Sequence, residues 1–353
     1  MSVRGDNQSN TGANKDFYRN MVDDVRRKLA ELARDSEIRL ALPDHEIEKI
    51  SEAVESEHIE DLHGRFYPPL FLLVRALHPS HIHDLEGDIE LVLSRTDPAR
   101  HKEALAFLRE LEEDRKFRAG LFEIYAKSRL SKADDADVTL DALLPNECNA
   151  DIRLSFGERE FYLECTILSE SDEDRQRLCE QRNNHSSSKF WPSNIPRESG
   201  RFFKKVYDKL AREWDPKKSQ LSDAHPNVLL ISLFGQYRSA FIKNLTLALE
   251  ELFSERIGKP EDEQAQQPER TSLRAWLYYA ACEDRHSRKR LTKAEYKERY
   301  LDLLKPRKKI GAILLFHDCE LRDSRVNYSA THRITHSEMA RLEELFRSPP
   351  RWI

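Results

Sequence analysis

Glycine is scarce in this chain, with ten residues in 353 and none clustered. A loop that cradles phosphates on backbone amides needs closely spaced glycines, so nucleotide-driven chemistry has no support, and there is no GxSxG elbow for a serine hydrolase. The five cysteines, at 148, 165, 179, 282 and 319, form no CxxC pair and no metal-ligand spacing. That usage suits a reducing cytosol and speaks against a disulfide framework. Long apolar runs are missing as well. The most apolar stretch, Leu70 to Leu77, is interrupted by Arg75 and is far too short to cross a bilayer. The opening MSVRGDNQSNTGANKD is polar, without the apolar segment of a signal peptide. The expectation is a soluble cytoplasmic protein with no membrane partner. A formal net charge of -5 also argues against indiscriminate coating of nucleic acid, while leaving room for a local basic site.

What is present is charge and helical periodicity. Charged residues make up 34% of the chain, enough for extensive charged helical surface around one large domain or two ordinary ones. Residues 1–16 read as a loose tail and 17–100 as an all-helical N-terminal domain, with helices in FYRNMVDDVRRKLAELA, PPLFLLVRAL and DLEGDIELVLS. Asp97-Pro98 signals the start of a long helix running to about Leu130, with Asp97 as N-cap. The pattern then switches to DVTLDALL, DIRLSF and FYLECTIL, three short strand-like runs in succession. A helix at RFFKKVYDKLAREW follows, then a buried strand at NVLLISLFG, a helix at FIKNLTLALEELFSERI, and a second buried strand at IGAILLF. SEMARLEELF closes the chain as a helix, with Ser337 as its N-cap. Residues 101–353 thus read as a mixed α/β domain, with mobile insertions near 170–200 and 259–272.

The stretch NADIRLSFGEREFYLECTIL, residues 149–168, repays reading residue by residue. A two-residue turn at Gly157-Glu158 suits a type II′ hairpin and pairs Asp151 with Glu164, Arg153 with Tyr162, and Ser155 with Glu160. Ile152, Leu154 and Phe156 then share a face with Phe161, Leu163, Cys165 and Ile167, which makes Cys165 a buried, inert thiol. Asp151, Arg153, Ser155, Glu160, Tyr162, Glu164 and Thr166 share the other face, and a slip of one residue would mix the two sets. Two carboxylates directly opposite repel unless something compensates. A divalent cation such as Mg²⁺ or Mn²⁺ would do so, because hard oxygen ligands suit it. A solvated face on which Arg153 balances Asp151 or Glu164 would do so equally, and both readings stay open on the hairpin alone.

The order of elements around the hairpin resembles the PD-(D/E)XK nuclease superfamily: a helix with a Glu, a hairpin with Asp and Glu-x-Lys, then a helix and a strand. The residues that carry the resemblance are Glu123 in AGLFEIYAKSRL, Asp151 in NADIRL, and Glu164 with Thr166 in YLECTIL, over roughly residues 105–235. Ala150 stands where the family often has proline, and Thr166 where it has the lysine. The resemblance implies a restriction-endonuclease-like mixed sheet flanked by helices. It also implies metal-assisted phosphodiester hydrolysis of nucleic acid, with DNA as the expected substrate. Asp151, Glu164 and the Cys165 carbonyl would hold Mg²⁺ or Mn²⁺, and Glu123 would reach the same ion directly or through water, with Gly120 allowing the helix close to the sheet. Thr166 would orient the attacking water. In some members the lysine has moved to the following helix, where Lys205 and Lys209 are the candidates here, one turn apart. The alternative is a catalytically inactive nuclease-fold module that binds nucleic acid or a protein partner, and self-association into a homo-oligomer is compatible with either.

Three other features draw attention. Residues 285–309 carry eleven Lys/Arg against three acids, which suits phosphate contact or a solvated amphipathic helix. His78, His81 and His83 lie together without a carboxylate or thiol at zinc-site spacing, and read as a surface loop. His317-Asp318 stands at the carboxyl end of the strand IGAILLF, where sites gather in α/β sheets, though an ordinary strand exit gives the same sequence.

Overall fold

The structure is a computed structural model that describes residues 9–55, 68–109, 114–145, 147–168, 220–233, 253 and 308–352. The chain divides into two compact units: residues 1–128 with 350–353, and residues 129–349. Among the described residues no helix is long and apolar enough to cross a membrane.

The first unit is helical, with α1 (Ser9–Ala30), α2 (Glu37–Ala41), α3 (Asp44–Glu55), α4 (Pro69–Ala76), α5 (Pro79–Arg95) and α6 (Asp114–Ser131), the last crossing into the second unit. Val25, Ile38, Phe71, Leu85 and Ile89 are fully buried in it. Helix ends are closed by side chains from distant parts of the chain. The buried Glu86 carboxylate accepts the amides of Glu37 (2.9 Å) and Ile38 (3.4 Å) at the start of α2. Lys28 Nζ donates to the carbonyls of Val74 (3.3 Å) and Arg75 (2.7 Å) near the end of α4. Each satisfies backbone groups that a helix terminus leaves orphaned. His78 is the N-cap of α5, and His81 and His83 lie in that helix rather than in a loop.

The long helix expected from Asp97 to Leu130 is broken. Asp97 does cap a helical turn, accepting the Ala99 amide at 3.0 Å, but that turn is the 3₁₀ segment Pro98–Arg100. Short turns at His101–Ala104 and Ala106–Arg109 follow, and α6 starts only at Asp114. The reason is visible in the rings of Phe107 and Phe117, which lie 6.0 Å apart. A continuous helix would separate residues ten apart by about 15 Å along its axis. Folding back lets both rings bury together.

The second unit is built on one mixed sheet of β1 (Asp137–Leu143), β2 (Asn149–Phe156), β3 (Arg159–Leu168), β4 (Asn227–Leu233), β5 (Ile310–His317) and β6 (Glu320–Val326), in that spatial order. β1, β2 and β3 pair antiparallel, β3, β4 and β5 run parallel, and β6 returns antiparallel to β5. Every residue of β4 is buried, as is all of β5 but His317, which is why both read as unbroken apolar runs. The expected turn is present, with Gly157 at φ +63°. β6 was not expected from the sequence. It returns through Asp318 and Cys319, both left-handed at φ +47° and +60°, a tight turn without the usual glycine.

Helix α7 (His336–Leu345) covers one face of this sheet. Its N-cap is Thr335, not Ser337, because Thr335 and Glu338 close a reciprocal capping box. Phe346 meets Phe316 edge-on at 5.2 Å, Arg341 lies 4.0 Å over the Phe156 ring, and Ser324 bonds Glu343. Register places Phe156, Phe316 and Ser324 on the face that also carries Ile152, Leu163 and Leu230. The carboxylate of Glu164 belongs to the opposite face. The expected helices at RFFKKVYDKLAREW and FIKNLTLALEELFSERI, and the insertions near 170–200 and 259–272, lie outside the described residues apart from Phe253, which is helical and buried.

Candidate active site

The hairpin has the register its hydrophobic pattern demands: Phe156 pairs with Arg159, Ser155 with Glu160, Leu154 with Phe161, Arg153 with Tyr162 and Ile152 with Leu163. One step further would set Asp151 opposite Glu164, and there the regular ladder ends. The Cys165 amide donates instead to Asp151 Oδ2, at 2.7 Å. A backbone amide thus fixes the Asp151 carboxylate against β3, whose other edge pairs with β4 from Tyr162 onward, Glu164 beside Leu229 and Thr166 beside Ile231.

Burial separates the two readings of this face. Glu164 is 1% exposed, so the picture of a solvated carboxylate stripe is wrong at its central residue. Nor does Arg153 balance the pair. Its guanidinium donates to Thr139 Oγ1 (3.0 Å) and stands 4.0 Å from Glu160. A carboxylate taken out of water is costly unless charge or hydrogen bonds compensate, and such groups concentrate where chemistry needs them. Cys165 is half-buried, a correction to the enclosed thiol expected.

The other expected members of the site are placed as follows. Thr166 is half-buried on β3, two residues beyond Glu164 and of the same strand parity. Glu123 belongs to the first unit, on α6, where its half-exposed carboxylate accepts from the buried Lys127 Nζ at 2.6 Å. Gly120 does allow a close approach, but to the Phe107 ring of its own unit. Lys205 and Lys209 lie outside the described residues, as does the basic stretch 285–309 except its last two residues.

Two features escaped the sequence reading. Asp141 of β1 falls between the pairs Leu140–Ile152 and Ala142–Ala150, opposite Asp151, and it adopts φ +51° in mid-strand. The polar parity of Asp137, Thr139 and Asp141 was the available signal. The second is a cluster of Arg153, Glu160, Tyr162 and His225, whose last member lies more than sixty residues away in sequence. At the far end of β5, burial and then the neighbouring Asp318 carboxylate push the Cys319 thiol well above its ordinary value, so it stays protonated and unreactive.

Among the described residues no three His, Cys, Asp or Glu side chains gather as a metal-holding group. Among the described residues, Asp151, Glu164 and the Cys165 carbonyl offer hard oxygens of the kind that suits Mg²⁺ or Mn²⁺, ions that commonly take one or two carboxylates and complete their shell with water and phosphate. By fold the chain is an α/β protein with a mixed sheet behind a helical region. No protein-family model, no curated protein and no solved structure matches it.

Proposed function

We propose that the second unit is a restriction-endonuclease-like domain that hydrolyses phosphodiester bonds of nucleic acid, DNA being the expected substrate, with the help of Mg²⁺ or Mn²⁺. The observation that carries this reading is a nearly fully buried Glu164 one strand away from an Asp151 whose carboxylate is fixed by the Cys165 amide. Asp151, Glu164 and the Cys165 carbonyl would hold the ion, which when bound polarises a phosphoryl oxygen and lowers the pKa of water. The chain's own part is to hold two oxygen donors in fixed positions before substrate arrives, so that little reorganisation is needed. Thr166, further along the same strand, offers a hydroxyl to orient the attacking water. Lys205 or Lys209 would supply the positive charge that Thr166 lacks.

The decisive experiment is plasmid cleavage with Mg²⁺ or Mn²⁺ by the wild type and Glu164→Gln, together with calorimetric titration of Mn²⁺. Loss of at least a hundredfold in cleavage, and loss of Mn²⁺ binding, are expected for the variant, on the order of what removing one electrostatic catalytic group costs. Equal activity in both proteins would end the hydrolytic reading. Thr166 in the lysine position favours a second reading, a catalytically inactive module that binds nucleic acid or a protein partner. It would show as binding without cleavage in any metal.

A further inference from the structure

We propose that Arg153 and His225 form a phosphate-binding subsite one row along the sheet from Asp151 and Glu164, held in reserve by Glu160. The inference rests on the nucleic-acid reading above and names where the substrate backbone runs. Arg153 lies two residues from Asp151 on β2, and Tyr162 two residues from Glu164 on β3, and the two pair across the strands. Strand geometry puts that step at about 6.7 Å on the same face, the scale of one nucleotide along a backbone.

The cluster has the makings of an anion site. Arg153 NH2 donates to Thr139 Oγ1 at 3.0 Å, which anchors one edge of the guanidinium on β1; among the described residues its other donors meet no acceptor at hydrogen-bond distance. Glu160 stands between the two bases, with Oε1 4.0 Å from Arg153 NH1 and Oε2 3.6 Å from His225 Nε2. Neither distance is a hydrogen bond. The His225 ring lies 5.6 Å from the Tyr162 ring, whose side chain is buried and so gives the imidazole a fixed wall. All three polar groups remain open to solvent, at 35%, 33% and 39% exposure for Arg153, Glu160 and His225.

One carboxylate therefore holds two bases weakly. A phosphate can take both more closely, since the guanidinium fork matches its oxygens and the contact is charge-assisted. Glu160 would be displaced, and its negative charge makes it a restraint on binding rather than a contributor. An ion-pair network serving only the fold would behave differently, because removing Glu160 would then change polyanion binding only through its single charge at long range.

The test is anisotropy of a labelled DNA duplex with Ca²⁺ in place of Mg²⁺, titrated at several salt concentrations. Arg153→Ala is expected to weaken binding about tenfold and to reduce the salt slope by about one. Glu160→Gln is expected to tighten binding several-fold. Because Arg153→Ala loses the tie to β1, its melting is measured alongside; if it does not fold, Glu160→Gln, at a half-buried position and nearly isosteric, decides alone. Unchanged affinity and salt slope in Arg153→Ala, unchanged affinity in Glu160→Gln, or no affinity in the wild type would overturn the subsite. Loss of cleavage in Glu164→Gln with normal binding by Arg153→Ala sinks the subsite and leaves the hydrolytic reading standing. The expected shifts in binding, with no cleavage by any protein, sink the hydrolytic reading and leave the subsite.

Discussion

Glu86 shows how a single residue can tie burial to pH. Burial pushes its carboxyl above the ordinary range, against the pull of hydrogen bonds from Ser36 and the Glu37 and Ile38 amides. With a raised folded pKa, the folded chain keeps a proton that the unfolded chain has already released. Stability is therefore greatest below the ordinary carboxylate range and falls as pH rises through the raised value. Asp24 runs the other way, since the hydrogen bond from Lys28 lowers its carboxyl, and its contribution is lost as pH falls. The prediction is that chemical denaturation from about pH 4 to 7 shows the wild type losing stability relative to Glu86→Gln as pH rises. A difference that is flat, or that grows with pH, would contradict it. At Glu164 and Cys165 the same scale exposes the limit of sequence reading. Strand parity assigned both to faces correctly, yet exposure depends on what covers each face, and parity carries no information on that.

Among the elements, the break before α6 was the clearest departure from the sequence. The apolar spacing in ALAFLRELEEDRKFRAGLFEI supports helix throughout, but it says nothing about whether two parts of one helix gain more by folding back. Gly120 marks the point of contact, because a Cβ there would run into the Phe107 ring. Gly120→Ala should cost about 1–3 kcal/mol through forced displacement of that ring, measurable by urea unfolding, despite alanine's better helix propensity. Stabilisation instead would mean that the ring moves freely. The hairpin strands were legible because alternation and a glycine turn agree. β6 was not, since ELRDSRV is a charged edge strand whose turn lacks glycine, and only pairing with β5 makes it a strand.

At the scale of the whole molecule, the last residues return to the first unit. Trp352 is fully buried, its indole donates to Asp88 Oδ2 at 2.8 Å, and Ser128 Oγ donates to Asp88 Oδ1 at 2.6 Å. Trp352→Ala should destabilise the helical unit by about 3–5 kcal/mol. Hydrogen exchange would show it as lost protection in α5, with β2 to β5 little changed. Equal loss in the sheet would mean that the tail stabilises both units alike. The sequence by itself determined the helical region, five of the six described strands, the hairpin register and the strand face shared by Asp151 and Glu164, because these follow from local periodicity and turn chemistry. Tertiary structure alone decided the broken helix, the sixth strand, the burial of Glu164, the amide that fixes Asp151, and the meeting of Arg153, Glu160 and His225. Each of those depends on which distant surface covers or meets a residue, and no local pattern encodes that choice.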